Sequence, residues 1–317
     1  MSRRELATIS ILVVLLLVMA AVRLLVGSDG WGIASDDTVF RIRLDRVVNG
    51  TMVGASLGLA GALLQSLLRN PLASPDLMGL SAGAGFAVTF RMWLAGSALG
   101  AAGAAAPAMV GALGVLLFVW FLSQRRGIID PVTMILMGVI VSVILGAATM
   151  LVAALMPDRG FAVSRWMMGT LREQVDHGTQ IFCSISILVV LGWSVWNAKA
   201  FDVMSLSEDE ARSIGARVGA VRCGQFIGAG VLTSISIVLA GPIGFVGLVC
   251  PHLVRLTAGS GHRCLLIGSA LMGAVLVLGA DTLVRTVPTQ AGRIPIGVVT
   301  AMTGGPIFLI LLLKMRR

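Results

Sequence analysis

Ten apolar runs, most of them long enough to cross a bilayer as a helix, dominate the 317-residue chain. Crossing about 30 Å of hydrocarbon takes roughly 20 helical residues. Lipid offers no partner to a backbone amide, so runs rich in Leu, Val, Ala and Gly without short alternating strands predict helices rather than a barrel. The predicted fold is all-α: one domain, residues 1–317, forming a polytopic membrane bundle of about ten transmembrane helices. The runs lie near residues 9–26, 47–67, 77–95, 98–122, 130–156, 179–197, 222–240, 243–258, 264–284 and 294–313.

Composition excludes several classes of protein. With 57% hydrophobic and 12% charged residues, the chain cannot be a soluble globular domain. Its formal charge of +9 comes from basic residues scattered between apolar runs, without aromatic interleaving, and so indicates membrane anchoring rather than nucleic-acid binding. The cysteines have no CxxC spacing and the histidines are far apart, so we predict no metal site, no disulfide and no cofactor in this chain. These residues are Cys183, Cys223, Cys250, Cys264, His177, His252 and His262.

Catalytic motifs are also missing from the sequence. The two lysines, Lys199 and Lys314, follow no glycine-rich phosphate loop, so the chain is not predicted to be its own ATPase or any other enzyme. Asp281 has a cationic neighbour one helical turn later in Arg285, and we interpret that pair as charge neutralisation near a membrane surface.

The distribution of basic residues predicts the orientation. The run at 9–26 is longer than a signal-peptide core, contains Arg23 and lacks a clear small-x-small cleavage site, which favours a retained first span that starts in the cytoplasm. An even number of spans then returns the basic tail, Lys314 to Arg317, to the cytoplasm. Both termini are therefore predicted to be cytoplasmic.

A hydrophilic island at residues 199–222 is the longest charged stretch in the chain. Ser207 followed by three acids is typical of a helix start, where a capping hydroxyl and negative charge are favoured, and Gly215 is expected to break the helix in two. The same alternation of spans places the island in the cytoplasm. It is either a solvated loop or a docking site for a soluble partner.

Glycine gives a further structural signal. Gly50, Gly54 and Gly58 recur every four residues, which predicts a flat groove where another helix approaches closely. The pairs Gly241-Pro242 and Gly305-Pro306 are expected to interrupt apolar runs, and broken helices at membrane depth are tolerated against protein or a water-filled path.

Several separate motifs resemble the FecCD-type permeases, the membrane subunits of ABC importers for iron siderophores, haem and cobalamin. The resemblance runs from about residue 43 to the end, with the motifs in the family's order. They are RLDR (43–46), RNPLASPDLMGLSAGAG (69–85), GPIGFVGLVCPHLVR (241–255), GHR (261–263), Asp281 with Arg285, and IPIGVVTAMTGGPIF (294–308).

The resemblance implies ten spans, a second permease subunit (the same or a paralogous chain), two cytoplasmic ATPase subunits that use ATP and Mg²⁺, and a periplasmic substrate-binding protein. The membrane implied is the bacterial inner membrane. Residues 204–219 match the family's two short coupling helices, which enter a cleft of the ATPase. The implied coupling residues are Ser207, Glu208, Asp209, Glu210, Ala211, Arg212 and Gly215.

The resemblance also assigns roles at the two membrane surfaces. Arg43, Arg46 and Arg285 match arginines that receive acidic residues of the binding protein. Asn70 and Leu72 match a gate that closes the path on the cytoplasmic side, although the Asn-Pro step could be a turn alone.

The sequence departs from the family pattern at three positions. Asp45 stands where proline is usual, Gly261 where an aspartate commonly precedes the His-Arg pair, and Arg293 where an acid often precedes the last motif. The change at Arg293 suggests a partner permease with its own complementary surface.

The leading hypothesis is a non-catalytic permease subunit that forms, as a dimer, the translocation pathway for an iron-siderophore complex, with haem or cobalamin as alternative cargo. An ion-coupled secondary transporter is the competing class. It would need ionisable groups within the bundle, where the sequence offers little beyond such polar residues as Gln65.

Overall fold

The computed structural model describes residues 2–27, 30–32, 36–95, 101–125, 128–129, 131–156, 160–173, 175–206, 218–259, 261–287 and 294–315. These residues are almost all helical, as predicted. The helices are α1 (Arg3–Leu25), α2 (Asp37–Leu67), α3 (Leu80–Ala95), α4 (Ala101–Leu122), α5 (Pro131–Ala154), α6 (Gly160–Met167), α7 (His177–Trp196), α8 (Ala198–Leu206), α9 (Val218–Ala240), α10 (Val246–Ala258), α11 (His262–Thr286) and α12 (Ile296–Met315).

Ten of these helices occupy the ten predicted span positions within the described ranges, and α6 and α8 are short additions between spans. Seven of the described helices are long and apolar enough to cross a membrane by length and composition. A 3₁₀ turn, Pro75–Met78, precedes α3. Two antiparallel pairs of two-residue strands, Val26–Gly27 with Gly30–Trp31 and Gln124–Arg125 with Ile128–Ile129, lie between helices.

Helix α2 forms the centre of the bundle. It packs against α9, α10 and α11, while α3 packs against α4 and α5. Helices α5 and α7 carry rows of exposed apolar side chains, including Leu151 and Phe182. Such a surface is expected where a helix faces lipid or another subunit.

Small residues bring α2 and α11 into backbone contact. A Cβ added at Gly58 would lie 2.0 Å from the carbonyl oxygen of Ser269, and one added at Gly54 would lie 2.2 Å from that of Gly273. The predicted glycine groove is therefore confirmed, and α11 is the helix that fills it.

The expected breaks differ in outcome. Gly241 has a φ of +71°, which glycine adopts readily, and the chain turns there between α9 and α10. The prediction of a break at Gly305-Pro306 is wrong, because Pro306 lies inside the continuous helix α12. Membrane helices tolerate proline where neighbouring groups satisfy the freed carbonyl.

Candidate functional site

One end of the bundle carries a buried arginine cluster, formed by Arg23, Arg46, Glu173, Asp281 and Arg285. Asp281 on α11 is fully buried and accepts hydrogen bonds from Arg23 on α1 and from Arg46 on α2. Arg46 Nη2 lies 2.5 Å from Asp281 Oδ1, and its Nε lies 3.4 Å from Oδ2. Two cations on one buried carboxylate tie three helices together.

The predicted pairing of Asp281 with Arg285 is wrong. Both oxygens of Asp281 accept from Arg23 and Arg46, and Arg285 instead donates to Glu173 at 2.9 Å. Helical spacing places Arg285 one turn from Asp281, but the carboxylate faces α1 and α2, so groups on other helices take it.

Glu173 covers the outer side of the arginine cluster. Its Oε1 lies 3.1 Å from Arg46 Nη1 and 2.9 Å from Arg285 Nη2. The side chains of Arg46 and Arg285 are only 6% and 8% exposed, whereas that of Glu173 is 47% exposed. Among the five residues of the arginine cluster, the charged group most open to solvent is therefore the carboxylate of Glu173.

The segment that carries Glu173 is anchored to the bundle. Backbone N–H groups of Thr170 and Arg172 donate to the carbonyls of Ala240 and Leu239. The carbonyl of Arg172 also accepts from Asn49 Nδ2 at 3.2 Å. Glu173 thus sits at the end of a fixed stretch of backbone, and its position over the arginines is set by that stretch.

Arg43, the third arginine assigned to docking, has a different role in the free chain. Its Nη1 donates to the carbonyls of Leu24 at 2.8 Å and Gly32 at 2.7 Å. A Cβ at Gly27 would lie 2.1 Å from Arg43 Nη2, so glycine gives the guanidinium its place. Arg43 holds the connection between α1 and α2 and remains half-buried.

The opposite end of the bundle carries a histidine cluster, formed by Ser66, Asp202, Gln225 and His262. His262 Nδ1 lies 2.6 Å from Asp202 Oδ1, and its Nε2 lies 3.0 Å from Ser66 Oγ. Gln225 Nε2 donates to the same hydroxyl at 3.1 Å. The four side chains connect α2, α8, α9 and α11.

A polar cleft of about 600 Å³ opens beside the histidine cluster. Arg69 and Arg255 line it, each bound within the protein: Arg69 donates to the carbonyl of Met204 and Arg255 to Gln65 Oε1. Gln65 also donates to the carbonyl of Leu248 at 3.3 Å. Its role in the described structure is to join α2 to α10.

The segment at Asn70 is a turn stabilised by its own side chain. Asn70 Oδ1 accepts from the backbone N–H of Leu72 at 2.9 Å, and Arg69 before it has a φ of +47°. Asparagine favours such turns because its side chain can replace a backbone acceptor. Leu72 is 40% exposed at this end of the bundle. The gate assignment of Asn70 and Leu72 stays a prediction.

The departure at Gly261 has a structural explanation. A Cβ at this position would lie 2.8 Å from Glu5 Oε1, so an aspartate would crowd a like charge. The backbone N–H of His262, at the start of α11, instead donates to Asp202 Oδ1 at 3.0 Å. Asp202 from α8 therefore supplies the capping carboxylate that residue 261 lacks.

Several predicted residues fall outside the described ranges. They are Arg293 and all seven coupling residues: Ser207, Glu208, Asp209, Glu210, Ala211, Arg212 and Gly215. The described chain enters this stretch through α8 and leaves it through α9. Within the described residues, no three His, Cys, Asp or Glu side chains lie close enough to hold a metal ion.

The sequence profile of the FecCD transport family matches residues 6–314. The chain belongs to the FecCD transport family. This membership makes it an ABC importer permease, and the resemblance carried by its motifs is confirmed.

Curated relatives of this FecCD-family permease cover nearly its whole length. It is 36% identical over 323 residues to a vitamin B12 import system permease protein of Citrobacter koseri, covering 99% of this chain and 96% of the relative. It is 32% identical over 293 residues to a hemin transport system permease protein of Yersinia pestis, covering 90% and 87%.

A solved structure confirms the fold of the permease. A metal-chelate type ABC transporter in an inward-facing conformation superimposes with a TM-score of 0.85 and 26% identity, covering 98% of this chain and 99% of that chain. The all-α membrane bundle predicted from sequence is therefore confirmed.

Proposed function

We propose that the chain is the membrane-spanning subunit that forms, as a dimer, the translocation pathway for a bulky metal chelate. The match of the FecCD profile to residues 6–314 carries this proposal. The second subunit is the same chain or a paralogue, and the membrane is the bacterial inner membrane, with both termini in the cytoplasm. Two partner ATPases, which use ATP and Mg²⁺, supply the energy, and the chain itself is not an enzyme.

An iron-siderophore complex is the first candidate cargo, and vitamin B12 is the second because a relative named for its import matches 99% of the chain. Haem is the third, on the name of the Yersinia pestis relative. All three are bulky chelates, and permeases of this one family import them. Specificity within that class rests largely with the binding protein, so the fold alone does not choose among them.

We assign the ends of the bundle from charge and from the family pattern. The histidine-cluster end lies at the cytoplasmic face, with the coupling residues between α8 and α9 and the gate at Asn70 and Leu72. Asp202 on α8 contacts His262 on α11, so a push on the coupling segment would reach α11 and α2 through polar contacts. Such ties fit a lever that transmits domain closure.

The arginine-cluster end then faces the periplasm and receives the binding protein at Arg43, Arg46 and Arg285. Ion pairs that stay open to water on one side, as those of Glu173 do, contribute about 1 kcal/mol or less each, so their main effect is steering and register. Replacing Arg43 and Arg285 by glutamate should slow association with the binding protein, and added salt should reduce the difference from wild type. Association rates that ignore both the substitutions and the salt would refute this docking surface.

Affinity purification from the native membrane tests the assembly. We expect the tagged chain to retain a second permease subunit and two copies of an ATPase with a phosphate-binding loop. Uptake by cells that carry this assembly should then be measured with a labelled iron-siderophore, cobalamin and haem in competition. A chain that purifies as a stable monomer and imports none of the three would refute the proposed function.

A further inference from the structure

The docking arginines are already occupied in the free permease. Arg46 Nη1 and Arg285 Nη2 both donate to Glu173 Oε1, at 3.1 and 2.9 Å. Neither arginine side chain is more than 8% exposed, so an incoming carboxylate meets Glu173 before it meets either guanidinium.

Charge favours an acid over a base as the partner group at this position. The arginine cluster holds three cations, Arg23, Arg46 and Arg285, and two carboxylates, Asp281 and Glu173, which leaves one net positive charge. Asp281 is fully enclosed and both its oxygens accept from arginines, so it cannot turn outward. Glu173 is the cluster's one half-exposed acid.

We propose that Glu173 is a resident substitute for an acidic residue of the binding protein, and that docking displaces it from Arg46 and Arg285. This inference rests on the proposed function. The partner feature that fits is a carboxylate, which takes the two N–H groups that Glu173 releases, while the Glu173 side chain turns into water.

The exchange of Glu173 for a partner carboxylate keeps the net affinity of docking low. Asp281 continues to hold Arg46 from the buried side, so that arginine keeps its position when Glu173 leaves. Because the partner's carboxylate replaces an existing ion pair, the net affinity is the difference between two similar interactions. An importer must release its binding protein in every cycle, and Glu173 favours that release.

The test compares three single variants in the assembled transporter: E173Q, E173A and D176N. Asp176 lies three residues further along the same segment and bonds to Thr179, at 2.8 Å to its N–H and 2.7 Å to its hydroxyl. The backbone N–H of Thr179 holds the pKa of Asp176 below its usual range, so D176N also removes a full negative charge. Asn remains a good helix cap, which preserves the start of α7.

We expect E173Q and E173A to bind the purified binding protein about three- to tenfold more tightly than wild type, because each variant lacks two weak ion pairs that are open to water on the Glu173 side. D176N should change the affinity less than twofold. Reaction of Arg285 with phenylglyoxal, read by mass spectrometry without the binding protein, should be faster in the two Glu173 variants than in D176N.

Weaker binding by E173Q would overturn the inference, because Glu173 would then be a contact for a partner cation. Equal affinity in wild type and E173Q would also overturn it, while leaving the docking function intact. Absence of binding by wild type and every variant, in an assembly that still hydrolyses ATP, would refute the docking function itself and the role of Glu173 with it.

Discussion

Replacing Asp281 with asparagine should destabilise the permease through the two buried arginines that donate to it. The side chains of Arg23 and Arg46 are 1% and 6% exposed, so neither can move its charge into water without local unfolding. Two unit charges about 4 Å apart attract by about 4 kcal/mol at an effective dielectric constant of 20. Removing one partner of a buried pair costs about 3–5 kcal/mol. At a few degrees per kcal/mol, the D281N melting temperature should fall by on the order of 10 °C.

The assay is thermal unfolding of the purified permease in detergent, with D45N as the matched control. Asp45 lies on α2 one residue before Arg46 and accepts one long hydrogen bond, 3.4 Å from Gln180 Nε2. Its replacement should change the stability by about 0.5 kcal/mol or less.

The single variant R23Q and the double variant R23Q with D281N complete a double-mutant cycle. Because R23Q removes a cation whose carboxylate partner D281N takes away, the double variant should cost less than the sum of the single variants. A D281N protein with the melting temperature of wild type would refute this account of the arginine cluster. So would a double variant whose loss of stability equals the sum of the losses in the two single variants.

Three further predictions concern the groove, the island and the gate. A Cβ at Gly58 would already lie 2.0 Å from the carbonyl oxygen of Ser269, so Gly58→Leu should lower the free energy of unfolding by about 3 kcal/mol or more and leave little monodisperse protein. The control is Gly114→Leu: a Cβ at Gly114 meets no atom within 4 Å, so this variant should purify normally. Reversing the charges of Glu208 and its neighbouring acids should weaken ATPase association without loss of membrane insertion; normal copurification and transport would exclude the island as the docking site. A cysteine at Leu72, in a chain without native cysteines, should react with a water-soluble thiol reagent at rates that depend on the nucleotide state of the ATPases; constant labelling would reduce the segment to a turn.

Hydropathy and glycine spacing predicted most of the fold because both are local patterns. The length of an apolar run predicts a spanning helix, and glycine every four residues predicts close helix packing. Each of the ten predicted spans holds a helix, and the groove at Gly54 and Gly58 is filled by α11. The sequence did not predict which helix fills the groove, because small residues such as Gly273 also occur in the other apolar runs. The prediction of a break at Pro306 was wrong because a membrane helix tolerates proline where neighbouring groups satisfy the freed backbone carbonyl.

The candidate site was predicted only in part, because its contacts join residues far apart in the chain. Arg23 and Asp281 are 258 positions apart, and spacing along one helix pointed to Arg285 instead. Glu173 lies in a connecting segment outside every motif, and its position over two arginines depends on backbone contacts with the end of α9. Asp202 was likewise missed as the carboxylate that caps α11. A charged residue inside an apolar run, such as Arg23, was the available signal that a buried partner exists.

Transport in proteoliposomes tests the central claim most directly. The permease would be reconstituted with its copurified ATPase and binding protein, and accumulation of a labelled iron-siderophore, cobalamin or haem would be followed with ATP inside or outside the vesicles. We expect uptake of one of these chelates that requires the binding protein and ATP on the ATPase side, and that stops when the ATPase can bind ATP but not hydrolyse it. Uptake driven by an ion gradient without ATP, or none of the three chelates transported by an assembly that hydrolyses ATP, would contradict the account.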